Sequence, residues 1–143
     1  MAFTLRRTST ASPQRLWDVV SDLGSHGRYF PATTMTTDEG PPRVGWGFVG
    51  RSGVGRAAFL DTMTVIDWEP PNRFRMVKLG PVLLGWADVS VEPDPAGSAL
   101  VWTESALPRG FPRVLGGLGD RLGIPFYERV LTAIVAEAER TPR

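Results

Sequence analysis

Three carboxylates occupy positions in strand-like stretches from which they could do chemistry: Asp61, Asp88 and Glu104. Side chains alternate between the two faces of a strand. Phe59, Asp61, Met63 and Val65 therefore share one face, and Leu60, Thr62, Thr64 and Ile66 the other. By the same rule Leu100, Trp102 and Glu104 lie together, as do Trp86 and Asp88. A carboxyl among such apolar neighbours has its pKa raised by desolvation and can serve as an acid or base. The competing reading of each is structural, a pair with Arg56, Arg73 or Arg75 or a place in water at a strand end, and it is the default. A slip of one residue would exchange the faces of any of these strands.

Other chemistries are narrowed by what the chain contains. It has no cysteine, which excludes disulfides, thiolate catalysis and cysteine metal sites. His26 is the single histidine, and no second ligand stands at helical spacing from it, so no metal site is expected. It lies in Gly24-Ser25-His26-Gly27, which reads more readily as an exposed connection than as a place where His26 or Tyr29 touches a ligand. Gly50-Arg51-Ser52-Gly53-Val54-Gly55 lacks the Gly-Lys-Ser/Thr ending of a phosphate loop and precedes no helix, so it reads as a hairpin turn. There is no Gly-x-Ser-x-Gly nucleophile elbow, and no cofactor is expected.

The elements that must position these residues follow from period and punctuation. Phe3 and Leu5 alternate with polar residues, as in a half-buried strand over residues 2–10. Ser12-Pro13 then has the chemistry of a helix start, and residues 13–22 carry Leu16, Val19 and Val20 on one side before Gly24. A short second helix over residues 25–30 would stop before Pro31. From residue 33 the period becomes two. Strands are expected near residues 33–38, along Val44-Trp46-Phe48, and over residues 56–68, 73–79, 84–92 and 98–107, with turns between them that contain Gly, Pro, Asn or Asp. In the last segment Tyr127, Leu131, Ile134, Val135 and Ala138 form an apolar helical stripe, which Pro125 should start or kink. Residues 111–122 have helical spacing too, but Gly116, Gly117 and Gly119 each weaken a helix by about 1 kcal/mol. That stretch is expected to be weakly stable and to move when a ligand enters.

With 143 residues the chain has the length of one ordinary domain, and no internal repeat or linker divides it. No apolar run reaches the ~20 residues of a membrane span, and no signal peptide is evident, so a cytoplasmic protein without integral membrane association is expected. The net charge is +1, from 16 basic and 15 acidic residues that are interspersed, which argues against a nucleic-acid partner. All the basic residues but Lys78 are arginine, a bias read as genomic rather than functional.

The order strand, two short helices, six strands, long helix resembles the START-like or SRPBCC superfamily. That group includes polyketide cyclase/dehydrase-type proteins and relatives of the birch pollen allergen. The residues that carry the resemblance are Ala11-Ser12-Pro13-Gln14-Arg15-Leu16-Trp17-Asp18-Val19-Val20-Ser21-Asp22, the strand-turn-strand Val65-Ile66-Asp67-Trp68-Glu69-Pro70-Pro71-Asn72-Arg73-Phe74, and Glu92-Pro93-Asp94-Pro95-Ala96-Gly97-Ser98-Ala99-Leu100-Val101-Trp102. It covers nearly the whole chain and implies an α+β helix-grip fold. In that fold a curved antiparallel sheet of about seven strands wraps a long C-terminal helix. The resemblance implies fold more than reaction.

A sheet curled round one helix cannot fill its concave side with a single row of side chains. The candidates to line the resulting cavity are Phe30, Trp46, Phe48, Phe59, Met63, Met76, Trp86 and Trp102, with Leu115 and Leu118 from the glycine-rich stretch. The first functional reading is a carrier or binding module, monomeric or homodimeric, for a small hydrophobic or aromatic molecule, lipid-like or polyketide-like. The second, implied by the resemblance, is a polyketide cyclase or aromatase that shapes a flexible chain in the same cavity, with Asp61, Asp88, Glu104 or Tyr29 as acid or base. A third resemblance, to the quinone-binding and ribosome-associated-toxin branch, rests on Asp22-Leu23-Gly24-Ser25-His26-Gly27-Arg28-Tyr29-Phe30-Pro31, although that branch has a shorter spacing here.

Overall fold

A computed structural model describes residues 2–110 and 112–140. The chain runs β1 (Phe3–Ser9), α1 (Pro13–Val20), a 3-10 turn (Leu23–Arg28), β2 (Thr33–Thr37), β3 (Gly47–Ser52), β4 (Phe59–Glu69), β5 (Arg73–Pro81), β6 (Leu83–Asp94), β7 (Gly97–Pro108) and α2 (Gly116–Glu139). The strands form one antiparallel sheet in the order β1-β7-β6-β5-β4-β3-β2. Apart from the pairing of β1 with β7, each strand lies beside its neighbour in sequence, which is what short hairpin connections impose. The sheet curves around α2, so the α+β helix-grip architecture implied by the resemblance is present.

Local sequence accounts for the elements. Ser12 caps α1, its hydroxyl accepting from the Arg15 amide at 3.1 Å, and Pro13 takes the first helical position. The turn between β6 and β7 is closed by Asp94, which accepts from the Ala96 amide at 2.9 Å. Register irregularities in β4, at Thr62/Met63 and Val65/Asp67, bend that strand around the helix. At Gly85 in β6 (φ +145°) a Cβ would stand 1.6 Å from the Ser105 carbonyl oxygen, so only glycine permits the close approach of β6 to β7 there.

Several boundaries differ from the sequence reading. The strand expected from residue 56 begins at Phe59, because Gly55–Ala57 form a 3-10 turn. Trp46 precedes β3, although the backbone around it pairs with Val65. Pro125 does not start the helix: α2 begins at Gly116 and runs through it. Of the glycine-rich stretch, Phe111 lies outside the described residues, and the rest forms a 3-10 turn (Arg113–Leu115) and the first turns of α2.

The core sits where α1 and the second half of α2 cover the sheet. Leu16, Val20, Val65, Phe74, Val89, Leu100, Leu131 and Ile134 are fully enclosed there. Trp68 lies 5.4 Å from Trp17 and 5.5 Å from Phe74, centroid to centroid, and this aromatic group plugs one end of the concavity.

Candidate functional site

The other end is not plugged. Between the sheet and α2 lies a cavity of about 260 Å³. Its apolar wall includes Phe30, Phe48, Phe59, Met63, Met76 and Trp102. His26, Asp61, Lys78, Glu104 and Tyr127 also face into it. Strands β3, β4, β5 and β7 contribute by the same device. The inward parity that carries large apolar side chains at the plugged end changes to small or polar residues further along. Leu100 and Trp102 lead to Glu104 and Ala106, Phe74 and Met76 to Lys78, Val65 and Met63 to Asp61, and Phe48 to Gly50 and Ser52.

The polar centre is a buried cluster. Lys78 Nζ donates to Asp61 Oδ2 at 2.7 Å, lies 3.8 Å from Glu104 Oε2, and is 3.7 Å from the Met63 sulfur. Lys78 and Glu104 are on β5 and β7, two strands apart. On β6 between them the inward positions are Ala87, which pairs with Glu104, and Gly85, which pairs with Lys78, and these small residues leave the gap open for the lysine to cross. The indole Nε1 of Trp102 donates to Glu104 Oε1 at 2.9 Å. Asp61 Oδ1 and Glu104 Oε2 are buried and have no hydrogen-bond partner.

Burial governs the electrostatics. It pushes the Glu104 carboxyl up, against the pull of Lys78 and the bond from Trp102; Glu104 is 1% exposed. Burial alone would lower Lys78, but the charges of Glu104 and Asp61 more than offset it and leave the ammonium with a raised pKa. The Tyr127 phenol is raised well above its ordinary value by burial and by the negative charge of Glu104, so it is a neutral hydroxyl. The site thus combines an ammonium, one carboxylate engaged with it, and a second carboxyl biased toward its protonated form, all in an apolar enclosure. Such a group can donate a proton or hydrogen bond to a ligand oxygen, and the ammonium can hold negative charge that develops on it.

The expected site residues divide. Asp61 and Glu104 meet in the cavity, as do Phe30, Phe48, Phe59, Met63, Met76 and Trp102. Asp88 and Trp86 do not. Ala87, Val89 and Val91 take the inward positions of β6, which sends Trp86 and Asp88 to the convex face. There Asp88 receives Arg73, with Nη2 at 2.6 Å from Oδ2, and Arg75 stacks 4.4 Å over the Trp86 ring. Trp46 is buried against Phe48 in the core and is absent from the cavity wall. Tyr29 packs beside His26 and does not line the cavity; burial and the nearby Glu137 raise its pKa. Leu115 and Leu118 are exposed and lie outside the wall.

Two lining residues read otherwise in the sequence. His26 is not an exposed connection. The 3-10 turn carries its ring inward, 3% exposed, where Nε2–H donates to the Val20 carbonyl at 2.7 Å. Burial lowers its pKa against that bond, which leaves a neutral imidazole with Nδ1 as the acceptor nitrogen. Lys78, the one lysine in an otherwise arginine-only basic set, is the cation of the cluster. Its parity with Phe74 and Met76 was the available signal. Among the described residues, no three His, Asp or Glu side chains converge to hold a metal ion, and no helix is long and apolar enough to cross a membrane.

The fold has known counterparts. Residues 1–139 match the family described as polyketide cyclase / dehydrase and lipid transport. The Zhui aromatase/cyclase from a Streptomyces species superimposes with a TM-score of 0.74 at 18% identity, over 98% of this chain and 94% of that one. The di-domain aromatase/cyclase StfQ of the steffimycin biosynthetic pathway gives 0.77 at 12% identity, over 96% of this chain and 50% of that one. Ara h 8.0201 gives 0.67 at 12% identity, over 95% and 98%. A search of curated proteins returns no sequence match. At these identities the structural likeness is one of fold.

Proposed function

Since the chain belongs to the polyketide cyclase/dehydrase and lipid transport family, we propose that it binds a small, largely apolar molecule in the cavity between the sheet and α2, with the molecule's polar group at Lys78, Asp61 and Glu104. The observation that carries this reading is the composition of the cavity, an apolar enclosure with one concentrated polar centre. Ligand sites are commonly built this way, the apolar wall supplying affinity and a few polar groups orientation. A volume of about 260 Å³ lies just below the range of about 300–1,000 Å³ usual for drug-sized ligands, which fits a one- or two-ring molecule or a short chain.

The test is titration with a neutral fluorescent probe, N-phenyl-1-naphthylamine, combined with native mass spectrometry of the protein from its own host. Saturable one-to-one binding that is lost in Ala106→Trp, where an indole would occupy the cavity, is the expected result. Absence of binding, or binding unchanged in the filled variant, would overturn the reading.

A second reading, an enzyme of the cyclase or aromatase kind, is favoured by one feature. Glu104 is a buried carboxyl with a raised pKa and a free oxygen in the cavity, as a general acid requires. On this reading Glu104→Gln abolishes turnover of a short poly-β-ketone while probe binding persists. Equal turnover in the variant would remove Glu104 from any catalytic role.

A further inference from the structure

The unpartnered atoms of the polar centre narrow the ligand further. Buried polar atoms without partners cost roughly 1–3 kcal/mol each, so two of them in one cluster mark where a ligand must contribute. Asp61 Oδ1 and Glu104 Oε2 are both carboxyl oxygens. Around them stand the Lys78 ammonium, which has one of its three protons committed to Asp61, and the neutral phenol of Tyr127. Asp61 in its ion pair with Lys78 can only accept. Lys78 can only donate.

We infer that the ligand presents a neutral hydroxyl group, phenolic or enolic, to the space between Asp61 Oδ1, Lys78 Nζ and Glu104 Oε2. A hydroxyl donates one hydrogen bond and accepts others through the same atom. Its proton satisfies Asp61 Oδ1, and its lone pairs receive Lys78 Nζ and the proton that a protonated Glu104 carries on Oε2. A bare carbonyl oxygen would receive Lys78 but leave Asp61 Oδ1 without a donor. A carboxylate would place a third acceptor group, and a further negative charge, against two existing carboxyls in a desolvated site. A plain hydrocarbon would bury the unpartnered oxygens and return nothing. The cluster therefore selects against acids, including fatty acids, as well as for hydroxyls.

This inference rests on the binding function proposed above, and the experiment separates the two. Naphthalene, 2-naphthol and 2-naphthoate share one ring system of a size the cavity suits. Each is titrated at pH 7 against the protein preloaded with N-phenyl-1-naphthylamine. The expected order is 2-naphthol displacing the probe at a concentration at least tenfold below both others. In Asp61→Asn, which adds a donor and removes a charge, the margin of naphthol over naphthoate falls to threefold or less. Glu104→Gln carries the same measurement if Asp61→Asn does not fold, as judged by circular dichroism. Naphthoate binding as tightly as naphthol would make the centre an anion site and overturn the inference. So would equal binding of naphthalene, a margin unchanged in the folded variant, or probe binding with no displacement by naphthol. Failure of the probe itself to bind would instead overturn the binding function beneath it.

Discussion

The two ends of the concavity are built from the same strands and treat them oppositely. At one end Trp17, Trp68, Phe74, Val65 and Leu100 pack together beneath α1 and the last turns of α2. At the other, the same strands present Asp61, Lys78, Glu104, Gly50 and Ala106, and the helix offers Phe126 and Tyr127 across a gap. The closed end supplies the packing enthalpy and apolar burial that hold the sheet on the helix. The open end carries buried charge and unpartnered oxygens, which cost stability. A polar centre of this kind persists only because the closed end supports it, and the cost lies where a ligand would be held.

If that division is correct, equal truncations give unequal effects. Phe74→Ala at the closed end should destabilise by about 3–5 kcal/mol, because it empties a fully enclosed volume between two tryptophans. Phe59→Ala removes the same side chain from the cavity wall, where it is only half-buried, and should cost about 1 kcal/mol or less. Urea unfolding of both measures the difference. Similar losses would mean that the open end is as tightly organised as the closed one.

Within the open end the charges should be interdependent. Lys78→Met leaves Asp61 and Glu104 facing each other without a cation and should cost about 3–5 kcal/mol, the usual effect of breaking a buried pair. Adding Asp61→Asn to that variant should restore a large part of the loss, since it removes the charge left stranded. An additive double variant would show that Lys78 acts through packing alone.

Glu104 should respond in the other direction. Its folded pKa is raised above 4.5, so the native state holds a proton that the unfolded chain has released as the pH climbs past that value. Stability associated with Glu104 is therefore present at low pH and lost as the pH rises through the folded pKa. Glu104→Gln keeps an acceptor for Trp102 and cannot ionise. At pH 7 it should melt slightly higher than the parent, where ~1 kcal/mol corresponds to roughly 2–8 °C for a chain of this size. A lower melting temperature would mean that the attraction between Glu104 and Lys78 outweighs the burial of its charge.

The contrast between the ends also governs what the sequence makes legible. Helix start, strand count, hairpin turns and the stripe of α2 all follow from local period and capping, and each has its place in the structure. The carboxylates of the site, Asp61 and Glu104, are legible because β4 and β7 alternate cleanly with large apolar neighbours. Trp86 misdirects for the opposite reason, while Asp88 takes the arginine pairing that is its default reading. Their strand's inward row is Ala87, Val89 and Val91, small residues beside a tryptophan, and only the cross-strand register with Arg73 and Arg75 decides the face. Lys78 was hidden because a charge is assumed to face water, and its partners are 17 and 26 residues away in sequence. No local signal reports such a pair. His26 was hidden by the glycines around it, since an irregular turn has no period from which to read a face.

His26 supplies the smallest of these effects and the one that links the ends, because its ring packs 6.2 Å from Trp102 while its Nε2 holds the last carbonyl of α1. Burial lowers its pKa below the ordinary 6.5, so near that pH the unfolded chain binds a proton that the native state refuses. The sign is then fixed: stability rises with pH through this window and falls on acidification below about 6.5. His26→Gln keeps a donor for Val20 but cannot titrate. The difference in melting temperature between parent and variant should narrow or invert from pH 7.5 to pH 5.5, while the exposed carboxylates shared by both proteins cancel. A difference independent of pH would mean that the imidazole is not held neutral, and that the junction of α1 with the cavity is open enough to accommodate its charge.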